Sequence, residues 1–313
     1  MTIARIALDV PLPRLFDYRY EAEKPLEVGA CVSVPFGHTQ KIGVVFDIGD
    51  GSDQRPEKIK PILATLDDIP LLPADWLRLC EFCARYYQHP IGEVAHFALP
   101  PLLRRGKMPR PLKSRASPAS APRPSIPELL SEQRAALCAI ENESGFNTFL
   151  LHGVTGSGKT EVYLHAIDTV LKAGKQALML VPEIALTPQL EQRVAARFPD
   201  SHVVSAHSGI ADAARARAFT QSLQGHADIV LGTRLAVFMP MPRLGLVVID
   251  EEHDGSFKQN EGLRYSARDV AIFRAKQLDV PIVLGSATPS LESFHHARTG
   301  RYRLLELAQR AVG

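Results

Sequence analysis

The sequence is poor in cysteine and lacks long apolar runs, and each of these features excludes a class of protein. Its 313 residues include four cysteines: Cys31, Cys80, Cys83 and Cys138. Four scattered thiols are too few for a disulfide framework, and they fit a reducing cytoplasm. No apolar run approaches the ~18 residues that span a bilayer, and the amino terminus carries Asp9 instead of an unbroken apolar segment. The sequence therefore predicts a chain that is neither secreted nor embedded in a membrane.

The overall composition is that of a folded globular protein, with 45% hydrophobic and 22% charged residues. The length favours two domains, or three. Lys and Arg total 36 against 34 Asp and Glu, yet residues 101–127 hold seven basic residues, seven prolines and no acidic residue. This segment is predicted to be an extended interdomain linker, either a solvated spacer or a basic tether that lies on phosphate.

Residues 1–100 read as a small β-rich domain. Apolar and polar residues alternate around Ile6, over 16–20, over 31–34 and over 42–48, and turns containing Pro or Gly separate these runs. From 74 to 88 the period changes to that of a helix, whose apolar face includes Cys80 and Cys83. We interpret this Cys pair as two buried small side chains rather than a zinc site, and we predict no zinc ligands.

Residues 128–308 alternate strand-like and helical patterns. The strand-like runs are FLLHG, ALMLV, HVVSA, DIVLG, LGLVVID and PIVLGS, and amphipathic stretches lie between several of them. This order predicts an α/β domain with a parallel sheet covered by helices on both faces. Residues 309–313 are interpreted as the start of a further segment.

The strongest chemical signal is a phosphate-binding loop. Between the first of these runs and a helical pattern the sequence fits G-x-x-x-x-G-K-[ST] with Gly153, Val154, Thr155, Gly156, Ser157, Gly158, Lys159 and Thr160. Glycines allow backbone amides to converge on phosphates at a helix N-terminus. Lys159 is expected to reach the β- and γ-phosphates, and Thr160 to hold Mg²⁺.

An acidic pair is expected at the end of a buried strand. The run LVVI is followed by Asp250, Glu251, Glu252 and His253. The carboxyl ends of parallel strands are where open α/β sheets bind ligands. Asp250 is predicted to hold Mg²⁺ through water, while Glu251 is predicted to orient or deprotonate the attacking water.

Together these motifs carry a resemblance to the first, RecA-like motor lobe of superfamily 2 helicases. The motifs are GVTGSGKT, VPEIALTPQ, LGTRLAVF, VIDEEH and GSATPS. Within the superfamily, DEEHDGSFKQNEGLRYSARDVAIFRA (250–275) and LPRLFDYRY (12–20) resemble the PriA family of replication restart helicases. The resemblance implies an ATP- and Mg²⁺-dependent 3′–5′ DNA helicase that assembles primosomes at stalled forks.

The resemblance also implies roles for residues outside these two motifs. Gln133 would contact adenine, and Ser286, Ala287 and Thr288 would link nucleotide state to DNA. The stretch 254–268 resembles the family's aromatic-rich loop, whose rings stack on bases while cations pair with phosphates. Its candidate DNA contacts are Phe257, Lys258, Arg264, Tyr265 and Arg268; the alternative is an ordinary loop. No catalytic role is assigned to His253.

The first domain resembles the family's domain that captures the 3′ end of a nascent strand. Phe16, Asp17, Tyr18, Gly37 and Lys60 occupy positions that resemble its pocket. Asp17 would accept a hydrogen bond from the 3′-hydroxyl, and the aromatic rings would shape the base site. The competing interpretation is that these aromatics are one face of a strand packed in a core.

Departures from the family limit what the resemblance implies. A winged-helix domain, the second motor lobe with its arginine fingers and the zinc-binding cysteines have no counterpart in this sequence. We therefore expect Mg-ATP binding, slow turnover and no unwinding by this chain alone. Expected partners are forked, 3′-ended and single-stranded DNA, single-strand-binding protein and other primosome proteins, in the cytoplasm at the nucleoid. Alternatives are a DNA-binding, partner-loading module with an idle ATPase, or another superfamily 2 translocase.

Overall fold

A computed structural model describes residues 2–21, 25–52, 54–110 and 127–311. Most of the predicted linker, residues 111–126, therefore lies outside the described residues. The chain divides into two compact units. The first comprises Met1–Pro111, Ile210–Leu223 and Asn260–Tyr265, and the second comprises Leu112–Gly209, Gln224–Gln259 and Ser266–Gly313.

The first unit is built on an antiparallel sheet, as the alternating pattern predicted. Its strands are β1 (Thr2–Leu8), β2 (Phe16–Tyr20), β3 (Cys31–Phe36), β4 (Thr39–Gly49) and β5 (Ala64–Thr65), in the order β2-β1-β4-β3-β5. Helices α1 (Ala74–Tyr86), α2 (Ile91–Ala98) and α3 (Pro101–Arg104) follow. Alternate residues of the strands, among them Ile6, Tyr18 and Val32, form one hydrophobic core. The β-rich assignment of this domain is confirmed.

Helix α3 lies within the first residues of the predicted linker. Leu103 is fully buried, and Arg104 donates to the carbonyls of Phe97 and Leu99 at 2.6 Å. These contacts explain why the chain stays folded past residue 100 despite its rising basic and proline content.

The second unit contains the predicted parallel sheet. In chain order the elements of residues 127–311 are α4 (Ser131–Glu141), β6 (Thr148–Gly153), α5 (Lys159–Lys172), β7 (Gln176–Leu180), α6 (Pro188–Arg197), β8 (Val203–Ala206), α7 (Asp212–Leu223), β9 (Ile229–Gly232), β10 (Leu244–Ile249), α8 (Ala267–Gln277), β11 (Ile282–Ser286), α9 (Leu291–Arg298) and β12 (Arg303–Leu307). The strand order is β12-β6-β11-β10-β7-β9-β8, with every pair parallel. The α/β assignment is confirmed.

This strand order determines where the site lies. Strands β6, β11 and β10 are neighbours, and their carboxyl ends carry the phosphate loop, Ser286 and Asp250 respectively. All six residues of β10 are buried, because a central parallel strand is covered on both faces. Three motifs that are far apart in sequence thus emerge at one edge of the sheet.

Two short segments of the helicase-like sequence belong to the first unit. Helix α7 packs on α3, and Tyr265 packs its ring against Phe97 with the centroids 5.8 Å apart. The sequence assigned the whole of 128–308 to one domain. In the structure the chain leaves the second unit after Gly209 and again after Gln259, and the domain bounds 128–308 stay a prediction.

Candidate nucleotide and DNA sites

The phosphate loop links β6 to α5 in the conformation that its glycines predict. Gly156 and Gly158 have φ of +81° and +80°, a region that side chains rarely adopt, and the Ser157 amide donates to the Val154 carbonyl at 3.0 Å. Helix α5 begins at Lys159 with Gly158 as its N-cap. The turn therefore presents backbone amides at a helix N-terminus, where an anion is stabilised.

The Lys159 side chain lies beneath this loop and is only 8% exposed. Its Nζ donates to the Gly153 carbonyl at 2.9 Å and lies 3.9 Å from Oε1 of Glu251. The ammonium thus lies between the phosphate loop and the acidic pair, as expected of a group that neutralises phosphate charge.

Gln133 braces the loop from α4. Its side chain is 4% exposed, its Nε2 donates to the Ser157 carbonyl at 2.8 Å and its Oε1 accepts from the Leu130 amide at 2.9 Å. A Cβ at Gly158 would lie 2.4 Å from the Gln133 Nε2, so this packing requires glycine there. The predicted adenine contact by Gln133 stays a prediction, since both ends of its amide bond to protein here.

The acidic pair follows β10 as the sequence predicted. Asp250 Oδ1 accepts from the Tyr163 hydroxyl at 3.1 Å and from the Glu251 amide at 3.2 Å. Burial, together with the Glu251 charge, raises the pKa of Asp250, while the bond from Tyr163 and the Lys159 charge oppose this rise. Burial also raises the pKa of Tyr163 well above its ordinary value, and Asp250 adds to that shift. Asp250 is therefore largely desolvated, whereas the Glu251 side chain stays partly exposed beside the Lys159 ammonium.

Glu251 itself has a strained backbone. Its φ is +48°, in the left-handed region that a side chain disfavours. Such conformations cost about 1–3 kcal/mol and concentrate at functional sites, where the surrounding structure enforces them. The turn directs the Glu251 carboxylate towards Lys159 and, at 3.6 Å, towards His253 Nδ1.

His253 connects the acidic box to the predicted coupling motif. Its Nδ1 lies 2.7 Å from Ser286 Oγ and its Nε2 lies 3.3 Å from Thr288 Oγ1. The Thr288 amide also donates to Ser286 Oγ at 2.9 Å. Two of the three predicted coupling residues, Ser286 and Thr288, thus bond to the box, whereas Ala287 has no polar side chain to do so. The sequence identified no partner for His253.

Glu252 makes a second connection, to Arg268. The Glu252 side chain has no exposed surface, and its Oε2 accepts from Arg268 Nη1 at 2.9 Å and from Ser293 Oγ at 2.9 Å. Its Oε1 accepts from the Ser290 amide at 2.7 Å. Arg268, predicted to contact DNA, thus directs its guanidinium into the protein in this conformation. Its Nη1 also donates to Ser290 Oγ.

The other predicted DNA contacts of the loop 254–268 divide into two groups. Phe257 is 3% exposed and Tyr265 is fully buried, because large aromatic side chains gain most from leaving water. Lys258 and Arg264 are exposed. In this conformation the two cations are accessible to a nucleic acid, whereas the two aromatic rings are not. The stacking role of these aromatics stays a prediction.

The amino-terminal unit contains an open cavity of about 280 Å³. All five residues predicted for the 3′-end pocket line it, and so do six others: Leu12, Arg14, Pro35, Phe36, Gln54 and Lys58. Phe16 and Tyr18 also belong to the hydrophobic core, so the two interpretations of this strand are compatible.

Polar contacts fix the walls of this cavity. Ser52 Oγ donates to Asp17 Oδ2, and the Tyr18 hydroxyl donates to the Pro35 carbonyl at 3.0 Å. Phe36 packs edge-on against Phe16 at 5.4 Å, and the Arg14 guanidinium lies 5.1 Å from the centre of the Phe16 ring. A carboxylate, aromatic rings and cations thus face one space. Arg14, Phe36 and Lys58 were not predicted from the sequence, although each lies within two residues of a predicted position.

Cys80 and Cys83 are buried on α1, as interpreted from the sequence. Burial raises the pKa of Cys83 to about 12 and that of Cys80 well above its ordinary value. Among the described residues no three or more His, Cys, Asp or Glu side chains form a group that could hold a metal ion. Within the same residues, no helix combines the length and apolarity needed to cross a bilayer.

Family models match both parts of the chain. The DEAD/DEAH box helicase model matches residues 130–296, and the model of the PriA 3′ DNA-binding domain matches residues 5–100. The first match covers more than half of the chain.

Curated relatives include two replication restart proteins named PriA. The one from Haemophilus influenzae is 36% identical over 386 residues, which cover 99% of this chain and 52% of the relative. The one from Treponema pallidum is 38% identical over 314 residues, which cover 98% of this chain and 47% of the relative. The chain thus spans about half the length of these relatives. The first alignment is longer than this chain, so the Haemophilus relative has residues inserted within the matched region.

Among solved structures, RecG bound to a three-way DNA junction is similar at a TM-score of 0.44 and 27% identity. The match covers 58% of this chain and 24% of that one.

Proposed function

Because the chain belongs to the DEAD/DEAH box helicase family, we propose that it is the amino-terminal, ATP-binding part of a replication restart helicase. Its first unit would recognise the 3′ end of a DNA strand at a stalled fork, and its second unit would bind ATP with Mg²⁺. The PriA domain match and the PriA relatives support the restart role. The observation that carries the ATP-binding role is the meeting of Lys159, Asp250 and Glu251 at the ends of β6 and β10.

The residues around the phosphate loop fit a bound nucleotide. Ser157 Oγ is buried and has no hydrogen-bond partner among the described residues, so an incoming phosphate oxygen would satisfy it. Lys159 and the loop amides supply positive charge, and Asp250 with Thr160 supplies the oxygen ligands that Mg²⁺ prefers. These features support ATP and Mg²⁺ as the cofactors.

Bound Mg-ATP would supply a phosphoryl group for transfer to water. In that reaction Lys159 neutralises phosphate charge while Asp250 orients the hydration shell of the cation. The strained backbone of Glu251 directs its carboxylate towards Lys159. There Glu251 orients a water molecule and accepts its proton. His253 transmits the position of Glu251 to Ser286 and Thr288.

The cavity of the first unit fits a DNA end. The Asp17 carboxylate is a hydrogen-bond acceptor suited to a 3′-hydroxyl, and Arg14, Lys58 and Lys60 are suited to the last phosphates. Asp17 would repel a 3′-phosphate. By the same resemblance we include single-strand-binding protein and other primosome proteins among the partners, and we expect the protein to work at the nucleoid.

The nucleotide site is tested by Lys159→Ala in the full chain, titrated with a fluorescent ATP analogue in the presence of Mg²⁺. We expect at least a tenfold loss of affinity, because the buried ammonium lies between the phosphate loop and the Glu251 carboxylate, where it would neutralise phosphate charge. Lys172→Ala is the matched control, since Lys172 lies on the same helix, is largely exposed and pairs with Asp168 at 2.6 Å. Unchanged affinity, or gross unfolding of Lys159→Ala in a thermal melt, would contradict this assignment.

The DNA site is tested separately with single-stranded oligonucleotides that end in a 3′-hydroxyl or a 3′-phosphate. At fixed salt, we expect the full chain to bind the hydroxyl end more tightly. Equal affinity for both ends would remove the 3′-end role and leave the nucleotide assignment unaffected.

A further inference from the structure

A buried tyrosine of α5 reaches the acidic pair, although no helicase motif quoted above includes it. Tyr163 follows the phosphate loop by one helical turn, and its side chain is fully buried. Its hydroxyl donates to Asp250 Oδ1 at 3.1 Å. The helix that carries Lys159 and Thr160 is therefore hydrogen-bonded to the expected cation ligand.

The strand between these two elements leaves space for this hydroxyl. β11 lies between β6 and β10, and Gly285 is at its carboxyl end. A Cβ at Gly285 would lie 1.5 Å from the Tyr163 hydroxyl oxygen, so any side chain there would displace the phenol. The Glu252 amide also donates to the Gly285 carbonyl at 2.9 Å, which fixes this strand end against the acidic box.

The hydrogen bond from Tyr163 determines which oxygen of Asp250 is free to face a cation. Both Tyr163 and the Glu251 amide donate to Oδ1, so the carboxylate cannot rotate without breaking two bonds. Oδ2 then remains the oxygen available to a cation or to its hydration shell. Hydrogen bonds of this kind to metal-binding carboxylates commonly change metal affinity by ~10–100-fold when removed.

We propose that Tyr163, in the space left by Gly285, is a positioning residue that orients Asp250 for Mg²⁺. This inference rests on the proposed function, because it requires the site to hold Mg-nucleotide. The role differs from core packing: loss of the hydroxyl alone should impair the response to Mg²⁺ and leave nucleotide binding without metal unchanged.

The test is Tyr163→Phe in the full chain, which keeps the ring and removes only the donor. The dissociation constant of a non-hydrolysable ATP analogue is measured in EDTA and again across a Mg²⁺ titration. We expect the affinity in EDTA to stay within twofold of wild type, since the loop and Lys159 are untouched. We expect the half-saturating Mg²⁺ concentration to rise about tenfold or more.

Two further variants serve as a control and as an independent test of the same contact. Tyr302→Phe is the matched control, because Tyr302 is a partly buried tyrosine of the same unit whose ring packs against His296 at 4.9 Å. Gly285→Ala should reproduce the Mg²⁺ defect by displacing the phenol. If Tyr163→Phe binds Mg²⁺ normally, or if it loses affinity equally with and without metal, the positioning role is wrong. If wild type itself fails to bind nucleotide, the proposed function fails with it.

Discussion

The amino-terminal cavity and the loop 254–268 contain the same kinds of side chains, aromatic rings interleaved with cations. In the first region Phe16, Tyr18 and Phe36 line an open cavity beside Arg14 and two lysines. In the second, the rings of Phe257 and Tyr265 are buried and Arg268 is bonded to Glu252. We propose the first arrangement as a ligand site, whereas in the second the rings and the arginine are held by contacts within the protein.

This difference shows that composition alone does not separate a binding surface from a structural one. In the cavity, Phe16, Asp17 and Tyr18 of β2 all line one open space, so aromatic rings and a carboxylate are available to the same ligand. In the loop, Arg268 is instead paired with the buried Glu252 carboxylate. The two regions therefore differ in whether a buried carboxylate of the protein pairs with the cation.

The largest effect is expected from Arg268→Ala. This substitution leaves the Glu252 carboxylate, which has no exposed surface, without its cation. Removing one partner of a buried pair typically costs 3–5 kcal/mol. We expect about 2 kcal/mol here, because the Arg268 side chain is 21% exposed and water partly replaces it. Urea unfolding of the full chain measures this loss.

Arg264→Ala is the matched control in the same loop, since the Arg264 side chain is exposed. We expect its stability to stay within about 0.5 kcal/mol of wild type. If Arg268→Ala were as stable as Arg264→Ala yet bound single-stranded DNA much more weakly, Arg268 would be a DNA contact and our comparison would fail.

The next largest effect is expected in the cavity. Asp17→Asn removes the charge that would face a 3′-phosphate while keeping a hydrogen-bond acceptor. We expect the preference for a 3′-hydroxyl end to fall about tenfold, which corresponds to about 1.4 kcal/mol. Fluorescence anisotropy with the two oligonucleotides measures the ratio.

Asp47→Asn serves as the control for this variant. Asp47 is a carboxylate of the same sheet that pairs with Arg5 and does not line the cavity. An unchanged preference in Asp17→Asn, or an equal fall in Asp47→Asn, would show that end selection occurs elsewhere.

A smaller effect is expected from the two lysines of the cavity. Lys58→Ala and Lys60→Ala should each weaken binding a few-fold and reduce the slope of log affinity against log salt by about 0.7, the value for one phosphate contact on a single strand. Lys41→Ala should leave the slope unchanged, because its ammonium donates to the Asp9 carbonyl at 3.0 Å outside the cavity. Identical slopes in all the variants would mean that the lysines do not touch phosphate.

The smallest expected signal concerns thiol reactivity and tests whether the interior of the first unit is closed to reagents. Burial raises the pKa of Cys31 to about 12, as it does for Cys83, so these thiols stay protonated and shielded at pH 8. Cys138 is exposed. A thiol reagent should therefore label Cys138 rapidly in the native chain, and the three buried thiols only after denaturation. Rapid labelling of Cys31 or Cys83 would indicate an open core.

The sequence predicted those parts of the structure that depend on local spacing. The phosphate loop, Lys159, the acidic pair and the parallel strands lie where the motifs indicated, because each is fixed by a strand end and a few adjoining residues. Contacts between distant residues were not predictable. Tyr163 and Asp250 are 87 residues apart and meet only because β11 lies between β6 and β10. The pairing of Arg268 with Glu252 and the placement of α7 in the first unit likewise depend on tertiary packing.

Photocrosslinking from the DNA end compares the two regions most directly. A single-stranded oligonucleotide with 5-iodouracil as its 3′-terminal base is bound to the full chain and irradiated, and the crosslinked residue is identified by mass spectrometry. We predict crosslinks to the aromatic lining of the cavity, at Phe16, Tyr18 or Phe36. Crosslinks concentrated at Phe257 or Tyr265 would contradict the account, because they would place the DNA end at the loop whose rings are buried here.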